Sequence, residues 1–253
     1  MSPFQPTIIH FDSLPSTNTE AARHAQQGAD EGLTIVAAEQ TAGRGRLERS
    51  WISPAGAGLY TSIVLRPRLN PSVWSLIPLM AALAVHDALN ESCGIAADIK
   101  WPNDILFAER KLCGILAETI ETSAGRAAIV GVGINLTSQS FPEELKESAT
   151  SVEAAAGKVV SIGEVLPSLL RALGNRYAQL QDDQSQIVTD WLAHSTYGHN
   201  KRVSVTSGYE QFSGTTRGLE SDGALRVETE SGEIRIVRAG DVFSLRGKEC
   251  REP

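Results

Sequence analysis

Gly43-Arg44-Gly45-Arg46 is the densest concentration of possible chemistry in this sequence. Glycines let a backbone approach a ligand and adopt positive φ. Exposed amides in such a loop form an anion nest. Two arginines add forked donors that match phosphate or carboxylate. An arginine-bearing surface turn accounts for the same four residues. The second segment is Lys100-Trp101-Pro102-Asn103-Asp104. Pro102 restricts Trp101 to extended geometry, so Asn103 and Asp104 fall at a sharp corner between strands. Turn chemistry alone also explains them there. Lys111-Leu112-Cys113-Gly114-Ile115-Leu116 begins the next strand. A lysine entering an apolar strand can hold an ammonium over an acid or phosphate; a strand-end lysine reaching for solvent is the commoner arrangement.

Three further segments complete the candidates. Gly131-Val132-Gly133-Ile134-Asn135 lacks the third glycine and the following helix of a dinucleotide site. Its glycines read instead as strand on which a ligand lies flat. Ser16-Thr17-Asn18 opens a helix, and its polar groups either cap that helix or bind a small polar head group. His10, His24, His86, His194 and His199 share no metal-ligand spacing. Cys93, Cys113 and Cys250 are an odd count without C-x-x-C, which reads as reduced thiols and not as a disulfide framework or a zinc site. No G-x-S-x-G, HExxH or Walker A sequence occurs.

The elements that must position these residues are legible in the hydrophobic periods. Residues 16–28 read as a helix, with Thr17-x-x-Glu20 as its capping box and Gly28 as its stop. Strands are expected at 33–38 and 59–66, with the Gly/Arg loop at 40–50 between them. A strongly apolar helix follows over 71–91, with Pro78 as a kink or the true start. Segments 97–101, 105–108, 112–122 and 127–136 read as strands of a meander, which favours a mixed or antiparallel sheet. Residues 137–161 read as a mobile loop with one short helix, then helices at 162–181 and 187–194. After Tyr197-Gly198 the period falls to two. Five short strands there, punctuated by glycines, suggest a small SH3-like barrel.

Composition bounds the class. The chain has 253 residues, 42% hydrophobic and 21% charged, which excludes disordered, collagenous and fibrous proteins. The longest apolar run, Trp74 to Val85, is interrupted by Pro78 and is too short for a membrane span. No secretory signal is visible at the N-terminus, so a soluble, cytoplasmic protein is expected. The net charge of −7 falls in the first 200 residues, since Lys201–Pro253 balances nine basic against nine acidic side chains. No segment forms the basic footprint that phosphate-backbone binding requires, so no nucleic acid partner is expected.

Taken in order, Ser16-Thr17-Asn18, Glu39-Gln40, Ala42 to Arg46, Trp51 with Ser53-Pro54, Lys100 to Asp104, Lys111 to Leu116 and Gly131 to Asn135 resemble the biotin protein ligase family. The match spans nearly the whole chain. The resemblance implies an α+β fold: a mixed sheet flanked by helices, akin to the class II aminoacyl-tRNA synthetase core, over 1–198, then the SH3-like domain over 199–253. It implies ATP-dependent attachment of biotin to a lysine of the biotin carboxyl carrier domain of acetyl-CoA carboxylase, through biotinyl-adenylate, with Mg²⁺. By resemblance, Ser16, Thr17, Asn18, Gln40, Gly43, Arg44, Lys111 and Gly114 bind biotin. Arg44, Gly45, Arg46, Trp51, Asn103, Lys111 and Asn135 meet ATP or the adenylate. Lys111, Arg44 and Asp104 take the catalytic roles, and Asp104 orients the incoming lysine or holds Mg²⁺.

The sequence also departs from the family pattern. Leu47-Glu48 stands where the family loop often continues with glycine, and Glu48 adds negative charge beside an anion site. Phe141 is the only aromatic in 137–151, where an adenine clamp is expected. The Ser-Thr-Asn motif begins at residue 16, which leaves no room for the N-terminal DNA-binding domain of many members; a monofunctional ligase without repressor activity is expected, and a homodimer is possible. The rival readings are a lipoate or octanoate ligase of the same superfamily and a non-catalytic biotin-binding scaffold.

Overall fold

The computed structural model of the chain describes residues 4–139 and 141–245. Cys250 and Arg246, a candidate for docking the acceptor, lie outside the described residues. In chain order the elements are β1 (Thr7–Leu14), α1 (Thr17–Gln26), β2 (Leu33–Gln40), β3 (Gly58–Leu65), α2 (Ile77–Cys93), β4 (Asp98–Lys100), β5 (Asp104–Phe107), β6 (Arg110–Thr122) and β7 (Gly125–Asn135). Then follow α3 (Val152–Ala156), α4 (Ile162–Asp182), α5 (Gln184–Ala193), β8 (His199–Ser207), β9 (Glu210–Leu219), β10 (Leu225–Thr229), β11 (Ile234–Val237) and β12 (Asp241–Ser244).

The first seven strands form one sheet in the order β1-β2-β3-β7-β6-β5-β4. β1 and β2 run parallel, joined through α1, and the other neighbours are antiparallel. The mixed sheet expected from the meander is therefore present. β1 is an addition. Its exposed edge position leaves it without the apolar run or clean alternation that marks a buried strand.

Period-two alternation gives the sheet two unlike faces. Leu59, Ile63, Val130, Val132 and Ile115 face α2 and α4, which complete the main core. Leu33, Ile35, Val64, Ala127 and Ile129 face α1 with its Ala21 and Ala25. Pro78 lies in the first turn of α2, after a 3₁₀ turn over Pro71–Leu76, so it marks the start and not a kink. Gly94, at φ 68°, ends the helix. The stretch Pro71–Cys93 is long and apolar enough to cross a membrane, which corrects the shorter apolar run read from sequence. Its window is 72% buried within the protein, as a core helix requires.

The last five strands form an antiparallel sheet in the order β11-β10-β9-β8-β12. Among the described residues no pairing joins β11 to β12, so the expected barrel is not closed. The reason lies in the link. Val237 and Asp241 sit on opposite end strands yet only four residues apart, a reach of roughly 14 Å. Five flat strands would place their ends roughly 19 Å apart. The sheet must therefore curl without its end strands meeting in a ladder. Val203, Val205, Leu225, Val227 and Val242 from this sheet belong to the same contiguous core cluster as α2. Trp101 Nε1 donates to Gly223 O at 3.0 Å, and Ser75 Oγ to Asp222 O at 2.7 Å.

One ionic knot ties the helices. Arg176 of α4 donates to Asp87 of α2 at 2.6 Å and also bonds Asp190 of α5. Burial raises the Asp87 carboxyl, but hydrogen bonds from His86 and Arg176 outweigh it and bring it down to about 2. Because that folded-state value is depressed, the stability it confers is present above the usual carboxylate range and is lost as pH falls towards 2. Arg176→Ala leaves two half-buried carboxylates facing each other. We expect it to cost about 2–3 kcal/mol in urea unfolding at pH 7, with the difference from wild type narrowing between about pH 4 and pH 2.

Candidate active site

Cross-strand rows build the site, because directly paired residues project from the same face. One row is Ser62–Gly131–Leu116, and the next is Tyr60–Gly133–Gly114–Asp104. These rows continue the α1-facing side of the sheet beyond the helix. Three of the positions are glycine, so bare backbone forms the floor. A Cβ at Gly131 would lie 2.1 Å from Asn18 Oδ1, and one at Gly133 would lie 2.5 Å from Trp51 Nε1. The strand glycines thus admit the protein's own Asn18 and Trp51 as well as leaving room beside them. A pocket of about 970 Å³ opens over this floor.

A β-bulge brings the lysine in. The β5–β6 register shifts so that Leu106 pairs with Lys111. Leu112 and Cys113 are both buried in the main core, which turns Lys111 onto the pocket face. Burial pushes the Cys113 thiol well above its usual range, so it stays protonated. Lys111 Nζ lies 2.7 Å from Asp104 Oδ1 and 5.4 Å from the Trp51 ring centroid. The Asp104 oxygen makes this charge contact without an aligned hydrogen bond. Lys111 N and O also bond Ser148 O and Thr150 N, at 2.8 and 2.9 Å. The segment read as a loop therefore pairs with the strand that carries the lysine.

The α1 end is a hydrogen-bonded cluster. Gln40 Oε1 accepts from Thr17 N at 2.8 Å and from Thr17 Oγ1 at 3.0 Å, while Gln40 Nε2 donates to Ser53 Oγ at 2.8 Å. Ser62 Oγ lies 2.7 Å from Thr17 Oγ1 and 2.6 Å from Asn18 Oδ1. Asn18 Nδ2 donates to Glu118 Oε2 at 2.7 Å. The capping box read from Thr17 and Glu20 is not formed. Gln40 caps the helix from β2, and Glu20 pairs with Arg23 at 2.6 Å. Ser16, Thr17 and Asn18 are all buried.

The Gly/Arg loop folds across the pocket. Gly43 is required where it sits, since a Cβ would lie 2.3 Å from Trp51 O. Gly45 N donates to Arg49 O at 2.6 Å, closing a tight turn. Leu47 and Glu48, which stand in place of glycine, take φ of 52° and 57°. Left-handed geometry costs a non-glycine residue roughly 1–3 kcal/mol. Arg44 donates to Glu118 at 2.7 Å, and Arg46 to Asn103 Oδ1 and Gly240 O, both at 3.2 Å. Burial lowers the Arg46 pKa, opposed by the charges of Asp241 and Asp104.

The predicted site residues line this pocket except Gly43, which packs against the Trp51 backbone, and two of the others are already engaged. Asn103 donates to Ile115 O at 2.6 Å, and Asn135 donates to Thr150 O at 3.1 Å. Both amides first hold the walls of the pocket together. Phe141 lines the pocket. Sequence reasoning passed over Ser62, Glu118 and Asp241, and gave Lys100 no role within its motif. Ser62 carried a signal, as a polar residue inside the wholly buried strand β3. Lys100 stands near the rings of Phe243 and Tyr197, at 5.4 and 5.8 Å, and burial lowers its pKa.

Known proteins are similar to this chain in sequence and fold. The profile of the biotin/lipoate A/B protein ligase family matches residues 10–135, and that of the biotin protein ligase C-terminal domain matches 198–245. A biotin–[acetyl-CoA-carboxylase] ligase of Mycobacterium tuberculosis is 34% identical over 237 residues, covering 91% of this chain and 86% of its own. The chain belongs to the biotin protein ligase family. A bifunctional ligase/repressor of Bacillus subtilis is 38% identical, covering 92% of this chain and 72% of that protein. The biotin protein ligase of Aquifex aeolicus in complex with biotin and ATP superposes with a TM-score of 0.80 at 31% identity, covering 95% of this chain and 99% of that one.

Gly131 of the floor has the shortest Cβ approach of any described glycine. Gly131→Ala forces Asn18 off Ser62. We expect a loss of about 1–3 kcal/mol in urea unfolding, whereas Gly125→Ala, where a Cβ meets nothing within 4 Å, should show only the cost of its positive φ.

Proposed function

We propose that this chain is an ATP-dependent biotin protein ligase whose ligase chemistry takes place in the pocket over Gly114, Gly131 and Gly133. The observation that carries this reading is the convergence of Lys111, Arg44 and Arg46 on a bare-backbone floor. Joining a carboxylate to a polyanion needs fixed positive charge, and a neutral bicyclic ligand alone does not. In the first step the biotin carboxylate oxygen bonds to the α-phosphorus of ATP, and the bond to the β-phosphate bridging oxygen breaks. Biotinyl-adenylate and pyrophosphate result. In the second step a lysine amine of the acceptor attacks the acyl carbon, loses a proton and expels AMP.

The residues divide this work. Ser16, Thr17, Asn18 and Gln40 bind the polar ends of biotin, with Gly43 admitting the loop and Gly114 letting the chain lie on the strand. Lys111 bridges the carboxylate and phosphate oxygens through the reaction. Its partner Asp104, 2.7 Å away, is positioned to exchange that ammonium for the acceptor's own. Arg44, Gly45 and Arg46 close over the nucleotide, and Trp51, Asn103 and Asn135 line its place. Positioning supplies much of the rate, since the adenylate is already activated. Among the described residues no group of three acidic, histidine or cysteine side chains forms a metal cage. Mg²⁺ therefore fits as the counter-ion of ATP: Asp104 would offer one carboxylate oxygen, and phosphates and water the rest. Bound there, the ion would neutralise phosphate charge.

We further propose the biotin carboxyl carrier domain of acetyl-CoA carboxylase as acceptor, consistent with the name of the mycobacterial relative. The catalytic unit is assigned to 1–198 and the second domain to 199–253. The reading calls for a cytoplasmic enzyme with no step on DNA or at a membrane. A homodimer formed edge to edge would use β1, one end of the larger sheet.

Incubation with ATP, Mg²⁺, labelled biotin and a carrier domain should yield covalent label on the carrier and biotin-dependent pyrophosphate release. Lipoate supporting faster release than biotin would overturn the substrate. Lys111→Ala should slow pyrophosphate release by about 100-fold or more, and a variant with full adenylation would remove Lys111 from its role.

A further inference from the structure

We propose that Asp241, on the second sheet, is a positioning residue that latches the Gly/Arg loop over the pocket, so that this sheet sets how long the adenylate is retained. The proposal rests on the adenylate reading above. Two cations of the loop converge on this one carboxylate. Arg49 bonds Asp241 Oδ2, and Arg46 Nη1 lies 3.8 Å from Oδ1. Arg46 also donates to the neighbouring Gly240 O at 3.2 Å. The Asp241 side chain is only 16% exposed and that of Arg46 24%, while Arg49 reaches the same carboxylate from the open side, at 61%.

The loop needs such a hold. Leu47 and Glu48 both take left-handed backbone geometry. Packing does not impose it, because Leu47 is 67% exposed. The Gly45–Arg49 bond closes the turn on itself, and external anchors hold that turn over the pocket, as strained backbone persists only where its surroundings over-determine it. On the sheet side the anchor is Arg44 on Glu118. On the other side it is the turn leading into β12. Two residues beyond Asp241, Phe243 stands against Lys100 of the adjoining pocket wall. The second sheet thus holds the loop and part of the wall from one short segment. Asp241 touches no reacting atom in this scheme; it acts through Arg46 and Arg49.

The test compares wild type, Asp241→Ala, Asp241→Glu and Arg49→Ala. Chymotrypsin cleavage after Leu47 reads loop release without any ligand, in every variant. It should quicken about 10-fold in Asp241→Ala and in Arg49→Ala, and return most of the way to wild type in Asp241→Glu. Preformed biotinyl-adenylate should dissociate about 5- to 10-fold faster from the two weakened variants, with biotin affinity changed less than 2-fold. Combining Asp241→Ala with Arg49→Ala should add little to either alone. Wild-type cleavage rates in both single variants would overturn the latch. Faster cleavage with unchanged adenylate release would overturn its role in retention. A wild-type chain that forms no adenylate would defeat the functional reading and the retention claim with it, while the cleavage rates would still judge the latch.

Discussion

The missing Cβ atoms at positions 114, 131 and 133 are the constraint on which the rest of the site depends. A β-sheet face is normally carpeted by side chains that must be covered. Here the cover stops where α1 begins, and the carpet is removed in two adjacent cross-strand rows. Asn18 and Trp51 settle directly on backbone. Their positions in turn fix Ser62 and Gln40 on one side and Lys111 on the other. A methyl group at 131 would have to move Asn18, which is buried and held by hydrogen bonds, and one at 133 would have to move the Trp51 indole.

Charge is organised by the same economy. Four cations of the pocket meet carboxylates of the protein, Lys111 with Asp104, Arg44 with Glu118, and Arg46 and Arg49 with Asp241, while Lys100 stands against the rings of Phe243 and Tyr197. Half-buried cations without partners would carry a desolvation penalty. The carboxylates come from two sheets, so the array exists only when both are in place. On the proposed reading, a polyanion entering the pocket would replace protein oxygens with its own, an exchange of like contacts and not the filling of a charged void.

Much of this was readable in one dimension. The strands β2 to β7, the α2 and α4 helices and the five late strands follow hydrophobic periods that survive folding. The Gly/Arg loop, the lysine strand and the glycine strand carry residue types with few other uses in that order. What escaped was long-range pairing. Ser62 reaches Asn18, Arg44 reaches Glu118 and Arg49 reaches Asp241 across 44, 74 and 192 residues. No local pattern marks such partners. The start of α1 was read correctly, but its capping box failed for the same reason: Gln40, on another strand, accepts from its first amide. β1 was missed because an edge strand has no face wholly buried to impose an alternation. Barrel closure was beyond sequence because it turns on whether two end strands meet, not on whether they exist.

The shared core of the two sheets carries a final consequence. Gly223 sits at φ 80° over Leu79 and Leu76, and its carbonyl receives the Trp101 indole. The apolar cluster therefore runs without a seam from α2 into the curled sheet. A chain built this way has no clean place to be divided. Cutting it near residue 198 would uncover the leucines at the start of α2 and leave Trp101, beside the corner at Asn103 and Asp104, without its acceptor. The small sheet is thus bound to its larger neighbour as masonry is to a wall, and the two are to be inherited, engineered and unfolded as one piece.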